Sequence, residues 1–100
     1  MDWLLYFKIM IVRKSMFLKQ HGIAAIFSSP AESLDKNAIS ADFNANKHIG
    51  RITIWESGEC DMEILDVESG ATLLWKNYLF TNEAAAELAI SEFISRLSLS

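Results

Sequence analysis

Apolar and polar positions alternate most clearly between Ile52 and Ser69. Ile52 and Ile54 alternate with Thr53 and Trp55, and Met62 and Ile64 alternate with Asp61 and Glu63. A period of two is the mark of a strand whose faces meet different surroundings. Between the two runs lies Glu56-Ser57-Gly58-Glu59, where Gly58 suits a turn because it takes positive φ without steric cost. The stretch predicts a β-hairpin with a loop slightly longer than the tightest type. Ile39, Ala41 and Phe43 alternate with Ser40, Asp42 and Asn44, which predicts a strand over 38–44. A strand over about 48–56 precedes the hairpin turn. After the turn Glu68-Ser69-Gly70, with Gly70 at positive φ, Ala71 to Phe80 predicts another strand. Ile23 to Ser28 is a short apolar run, either a first strand or a loop on the core, and Pro30 closes it in a turn. Glu32 to Asn37 is polar and expected to be exposed.

Helices bracket these strands. Asp2 to Gln20 contains neither Gly nor Pro, with Asp2 as the expected N-cap and Gly22 as a left-handed stop. Trp3, Phe7, Met10 and Phe17 form one stripe, with Leu4, Ile11 and Leu18 beside it. Leu5, Ile9, Val12 and Met16 widen the apolar surface until little is left for water. Such a helix is either deeply buried or shares its outer face with another chain. The last helix follows a cap at Thr81 or Asn82, with Glu83 and Glu87 in its first turns and Arg96 near its end. Its expected apolar stripe is Leu88, Phe93 and Leu97 with Ala84, Ala85, Ala89, Ile90 and Ile94.

Short connections make consecutive strands antiparallel. Helices that flank the strands in sequence, without alternating with them, give an α+β fold. The expected architecture is an antiparallel β-meander of three to five strands with an N-terminal and a C-terminal helix packed on one face. Ile52, Ile54, Met62 and Ile64 line that face, and Thr53, Trp55, Asp61 and Glu63 point away. An open face mixing Trp55 with carboxylates suggests a binding surface.

Composition narrows the partners. One hundred residues suit one domain, taken as residues 1–100, and 51% apolar content supplies a packed core. Net charge is −4, unevenly placed: residues 1–30 carry +3 and residues 31–100 carry −7. Glu56, Glu59, Asp61, Glu63, Asp66 and Glu68 are all acidic, and no Lys or Arg falls between Arg51 and Lys76. That surface repels nucleic acid and anionic lipid, so neither is an expected partner. Lys8 and Arg13-Lys14 interrupt the N-terminal apolar run, which stays well short of the roughly 20 residues that span a bilayer. Asp2 carries the wrong sign for the start of a secretory signal.

Candidate chemistry is sparse. The single Cys60 excludes an internal disulfide and has no second Cys at metal-site spacing, so it reads as a small buried hydrophobe in a reducing, cytoplasmic setting. His21 reads as a helix-end residue and His48 as a strand-edge or loop residue. Ser57-Gly58 lacks the flanking glycine of a nucleophile elbow. The four glycines make no phosphate-cradling loop. Asp61 and Glu63 share a strand face that could hold a cation, although a solvated or partner-facing edge is the commoner arrangement. No catalytic residue, metal site or cofactor is expected, and the pattern suits a binder better than an enzyme.

The run from Ile49 to Asp66, with Arg-Ile-Thr-Ile-Trp-Glu-Ser-Gly as its most specific part, resembles the central motif of the TriTu-type immunity proteins. The Ser69-Gly70 turn and the helix from Glu87 to Leu97 are similar too, so the resemblance covers about residues 38–98. Those proteins are bacterial cytoplasmic antitoxins against Rhs-type effectors of the type VI secretion system, whose toxic domain ADP-ribosylates a translation elongation factor. The resemblance implies a cognate toxin domain as partner and no turnover. It carries no residue-level binding site. Charge makes the acidic hairpin the candidate surface: Trp55 as anchor with Glu56, Glu59, Asp61, Glu63, Asp66 and Glu68 around it. Two other classes stay open: a homodimeric adaptor using the apolar first helix, and a small metal-binding enzyme built on Cys60, His48 and the acids.

Overall fold

The computed structural model describes residues 1–28 and 37–99. Its elements are α1 (Trp3–Arg13), α2 (Ser15–Gln20), β1 (Ala24–Ser28), β2 (Ala38–Asn44), β3 (His48–Trp55), β4 (Glu59–Asp66), β5 (Thr72–Leu79) and α3 (Glu83–Ser98). The five strands form one antiparallel sheet in the order of the sequence. This is the expected α+β meander, and the run after Gly22 joins it as a strand. The turn expected at Ser29-Pro30 and the polar stretch from Glu32 lie outside the described residues.

Local rules place the ends of the elements. Asp2 caps α1 by accepting from the Leu5 amide at 3.1 Å, and Asn82 caps α3 by accepting from the Ala85 amide at 2.8 Å. Gly58 has φ +96°, and a Cβ there would meet the Phe80 carbonyl oxygen at 2.6 Å and Trp3 Nε1 at 2.9 Å. The β3–β4 turn therefore needs glycine for conformation and for space at once.

Alternation then sorts the sheet into two faces. Ala41, Phe43, Ile52, Ile54, Cys60, Met62 and Ile64 are buried beneath the helices. Complete burial contributes about 1.5–3 kcal/mol for each large aliphatic or aromatic side chain. From α1 and α2 come Trp3, Phe7, Met10, Ile11 and Leu18, and from α3 Ala86, Ala89, Ile90, Phe93, Ile94 and Leu97. Phe93 meets Phe43 edge-on at 5.2 Å between centroids, and Phe7 meets Phe27 at 6.0 Å. At one end of the sheet Trp3, Tyr6, Tyr78 and Phe80 form an aromatic cluster that ties the start of α1 to the end of β5.

The helices depart from expectation in two places. The single helix over 2–20 is broken at Lys14, whose amide is shared between the Met10 and Ile11 carbonyls. Leu18, seven residues after the buried Ile11, lies in the core, while Phe17, expected on the stripe, is exposed and stacks on His21. In α3 the buried seam runs through Ala86, Ala89, Ile90, Phe93 and Leu97. Leu88, Ala84 and Ala85, expected on the apolar stripe, face solvent. No described helix is long and apolar enough to cross a membrane.

Candidate functional site: the open face of the sheet

Both layers of helix lie on one side of the sheet, and no described element covers the other. Cross-strand register assembles that open face in rows. One row runs Ile26, Asp42, Arg51, Glu63, Trp75, and the next runs Ser40, Thr53, Asp61, Asn77. Trp55 lies beside Ala38 at the β3–β4 end, where Glu59 pairs with Leu79. Trp55 is half-buried, whereas Trp75 is 63% exposed.

Polar contacts hold the floor of the face. The Ser40 and Thr53 hydroxyls meet at 2.7 Å. Asn77 Nδ2 donates to Asp61. Arg51 Nε donates to Asp42 Oδ1 at 2.6 Å, and that bond, with the charge of Asp42, raises the guanidinium pKa further. Arg51 also stands opposite Glu63. One cation thus sits between two carboxylates, with Glu59 and Asp61 as further acids. Ile26, Asp42, Ile49, Arg51, Glu63 and Leu65 line an open depression of about 520 Å³. A smaller one of about 180 Å³ lies between Arg51, Thr53, Asp61, Glu63 and Trp75. Aromatic side chains and an arginine, both present on this face, are enriched at protein contact surfaces.

The seven residues singled out from the sequence do not form one patch. Trp55, Glu59, Asp61 and Glu63 share the open face. Glu56 lies in the β3–β4 turn at the Trp55 end, where its Oε2 accepts from Asn37 Nδ2 at 3.2 Å. Asp66 and Glu68 lie at the opposite end of the hairpin. There Asp66 accepts from the Ser69 hydroxyl at 2.8 Å and from the Glu68 amide at 3.3 Å. The Ser69 bond leads in lowering the Asp66 pKa, with the Glu68 amide next. Asp66 is therefore committed to its own turn.

The other chemical candidates face elsewhere. Cys60 points into the core, where burial, with a smaller contribution from Asp61, pushes its thiol pKa up to about 12. Such a thiol stays protonated and unreactive. The imidazole of His21 pairs with the Phe17 carbonyl at 2.9 Å and that of His48 with the Leu97 carbonyl at 3.3 Å, both on the helix side. Among the described residues no three His, Cys, Asp or Glu side chains gather as metal ligands.

Two members of the face escaped the sequence pattern. Arg51 marked only the boundary of the acidic run, and Trp75 was one apolar residue among several in its strand. Leu73, Trp75 and Leu79 alternate with Leu74 and Tyr78, so both faces of β5 look apolar. A register shift between Ile64 and Leu65 also defeats counting back from the Gly70 turn. The signal that could have found Trp75 is its place opposite Glu63, which needs the register.

No curated protein matches the chain. The family model described as "Immunity protein TriTu" matches residues 6–96. That span takes in all five strands and most of α1 and α3, and it reaches well before residue 38, where the resemblance read from the motif began. A match over that much of the chain shows the family, and the chain belongs to the TriTu immunity proteins.

Proposed function

We propose that this protein neutralises a cognate toxin domain in the bacterial cytoplasm by laying the open sheet face over the toxin's active site. The observation that carries the reading is the uncovered face itself. It sets Asp61 and Glu63 of β4 between Trp55 of β3 and Trp75 of β5, on the side of the sheet away from the helices. The toxin class implied by the family resemblance is an ADP-ribosyltransferase carried by an Rhs-type effector of the type VI secretion system. Such an enzyme binds a dinucleotide with two phosphates, usually through basic residues in a cleft. Opposite charge steers association, and aromatic anchors slow dissociation. Inhibition by occlusion needs no turnover, in keeping with a buried Cys60 and histidines turned toward the helices.

Surface plasmon resonance against the purified toxin domain encoded by the adjacent gene, at two salt concentrations, tests this. Asp61→Lys with Glu63→Lys should slow association, and the effect should shrink as salt rises. Trp55→Ala or Trp75→Ala should raise the off-rate and cost about 2 kcal/mol. Each variant is first shown to be folded, and a growth-protection assay runs alongside. Unchanged kinetics with full protection would move the contact surface off this face.

A second reading has its own observation. Leu5, Ile9, Val12 and Met16 form an exposed apolar stripe along α1 and α2. A homodimer through that stripe would shield it. Light scattering of wild type and Val12→Asp decides: a single monomeric species for both ends the dimer reading.

A further inference from the structure

The two edges of the sheet differ. α2 packs against β1, whereas β5 ends the sheet on its other side with no described strand along its outer edge. The direction of each backbone group along β5 follows from one bond. The Phe80 amide donates to the Gly58 carbonyl at 2.9 Å, which makes 58 and 80 a hydrogen-bonded pair. In an antiparallel ladder such pairs recur every second residue. Tyr78, Lys76 and Leu74 therefore turn their N–H and C=O groups toward β4, and Leu73, Trp75, Asn77 and Leu79 turn theirs outward. Arg96 agrees with this phase, since its guanidinium donates to the Leu73 carbonyl from outside the sheet at 3.2 Å. Beyond it, the backbone groups of Trp75, Asn77 and Leu79 have no partner among the described residues.

The same alternate residues place their side chains on the open face, because Trp75 stands opposite Glu63 and Leu79 opposite Glu59. Natural proteins blunt a free edge with Pro, bulges, charge or a covering segment. Over Trp75 to Leu79 this edge has no Pro, the register shift lies beyond Leu74 at its other end, the only charge is Lys76 on the other face, and Leu79 is 66% exposed. Free donors and acceptors beside an uncovered face are the requirements for strand addition.

Resting on the immunity reading above, we infer that β5 takes an extended segment of the toxin as a sixth strand. Alternate side chains of that segment land on the open face beside Trp75 and Leu79. The acids of β4 lie two strand spacings away, about 10 Å, within reach of Lys or Arg side chains. The segment therefore alternates apolar and cationic residues on that face. A second copy of this chain is the poorer occupant. It would bring its own net charge of −4 and the same carboxylates to the junction.

Asn77→Pro removes one outward amide and leaves the bonds to β4 in place, a position where an edge strand accepts proline. Asn77→Ala keeps the amide and removes only the side-chain bond to Asp61. Affinity is measured by surface plasmon resonance against the purified toxin domain encoded by the adjacent gene. Amide exchange is read on the wild type, free and bound, so the result does not depend on the Pro variant folding. Asn77→Ala gives the baseline for loss of this side chain from the face, and Asn77→Pro should bind at least about tenfold more weakly than that baseline. The Trp75, Asn77 and Leu79 amides should gain protection in the complex. If wild type binds with those amides unprotected, or if Asn77→Pro binds as tightly as Asn77→Ala, strand addition is wrong and the immunity reading stands. If wild type neither binds the toxin nor protects growth, both fall. A dimer of the free chain that Asn77→Pro abolishes would give the edge to a second copy and overturn the proposal.

Discussion

Single side chains set close tolerances in this fold. Gly50 lies where α3 crosses β3. A Cβ there would stand 2.7 Å from the Phe93 ring, 3.2 Å from Leu97 Cδ1 and 3.3 Å from the Glu63 carbonyl oxygen. Those side chains are themselves buried, so they have little room to retreat. Gly50→Ala should destabilise by about 1–3 kcal/mol, read as a lowered urea midpoint with unchanged slope. Asp66 offers a pH test at the same scale. Its hydrogen bonds in the β4–β5 turn favour the ionised form, so its folded pKa lies below its unfolded one. The ionised group thus stabilises the fold above the ordinary carboxylate range, and that contribution is lost as pH falls through the lowered folded value. Ser69→Ala removes the leading bond. In an NMR titration Asp66 should move up toward the ordinary value of about 3.9.

At the scale of an element, α3 shows how a broad apolar helix chooses its face. Ala84, Ala85 and Leu88 lie on one side, and Ala86, Ala89, Ile90, Phe93, Ile94 and Leu97 on another. The second wins because Phe93 and Leu97 drop over Gly50, the one position in β3 with no side chain to meet them. Two substitutions check the choice. Ile90→Ala should cost about 2–5 kcal/mol because the side chain is fully buried. Leu88→Lys should change stability by no more than about 0.5 kcal/mol, since Leu88 is 63% exposed. Chemical denaturation of both variants distinguishes the two faces, and equal losses would place Leu88 in the core. At the break between α1 and α2 the Lys14 ammonium reaches Ser91 on α3 at 3.2 Å.

For the whole molecule, a single layer of helix must cover one sheet face. α1 and α2 supply five buried side chains to it. At about 1.5–3 kcal/mol apiece their loss would exceed the margin of an ordinary small domain. Removing residues 1–20 should leave an unfolded or insoluble chain, checked by circular dichroism and sedimentation. A folded, monomeric truncation would show the segment to be dispensable. Covering only one face also leaves Trp55 and Trp75 on a side that no described element covers, so stability rests on one side of the strands and the recognition proposed above on the other.

Strand positions, the turns at Gly58 and Gly70, the cap at Asp2, a cap at Thr81 or Asn82, and the inward set Ile52, Ile54, Met62 and Ile64 were all legible along the chain. Each depends on backbone conformation or hydrogen bonds within a few residues, and on an alternation with one apolar and one polar side. The same alternation placed Trp55, Asp61 and Glu63 together on the outward face. It could not separate Asp66 and Glu68 from them, because the length of the hairpin, and not the charge run, decides which acids are neighbours. Nor could it orient β5, α3 or the end of the first helix, where both sides are apolar and two phases fit equally well. Contacts distant in sequence resolved α3 and β5: Phe93 and Leu97 over Gly50, and the register shift at Ile64 and Leu65. Trp75 on the open face and the free edge of β5 are consequences of that register. They belong to the tertiary structure because pairing between strands, and no local preference, decides which backbone groups are left without a partner.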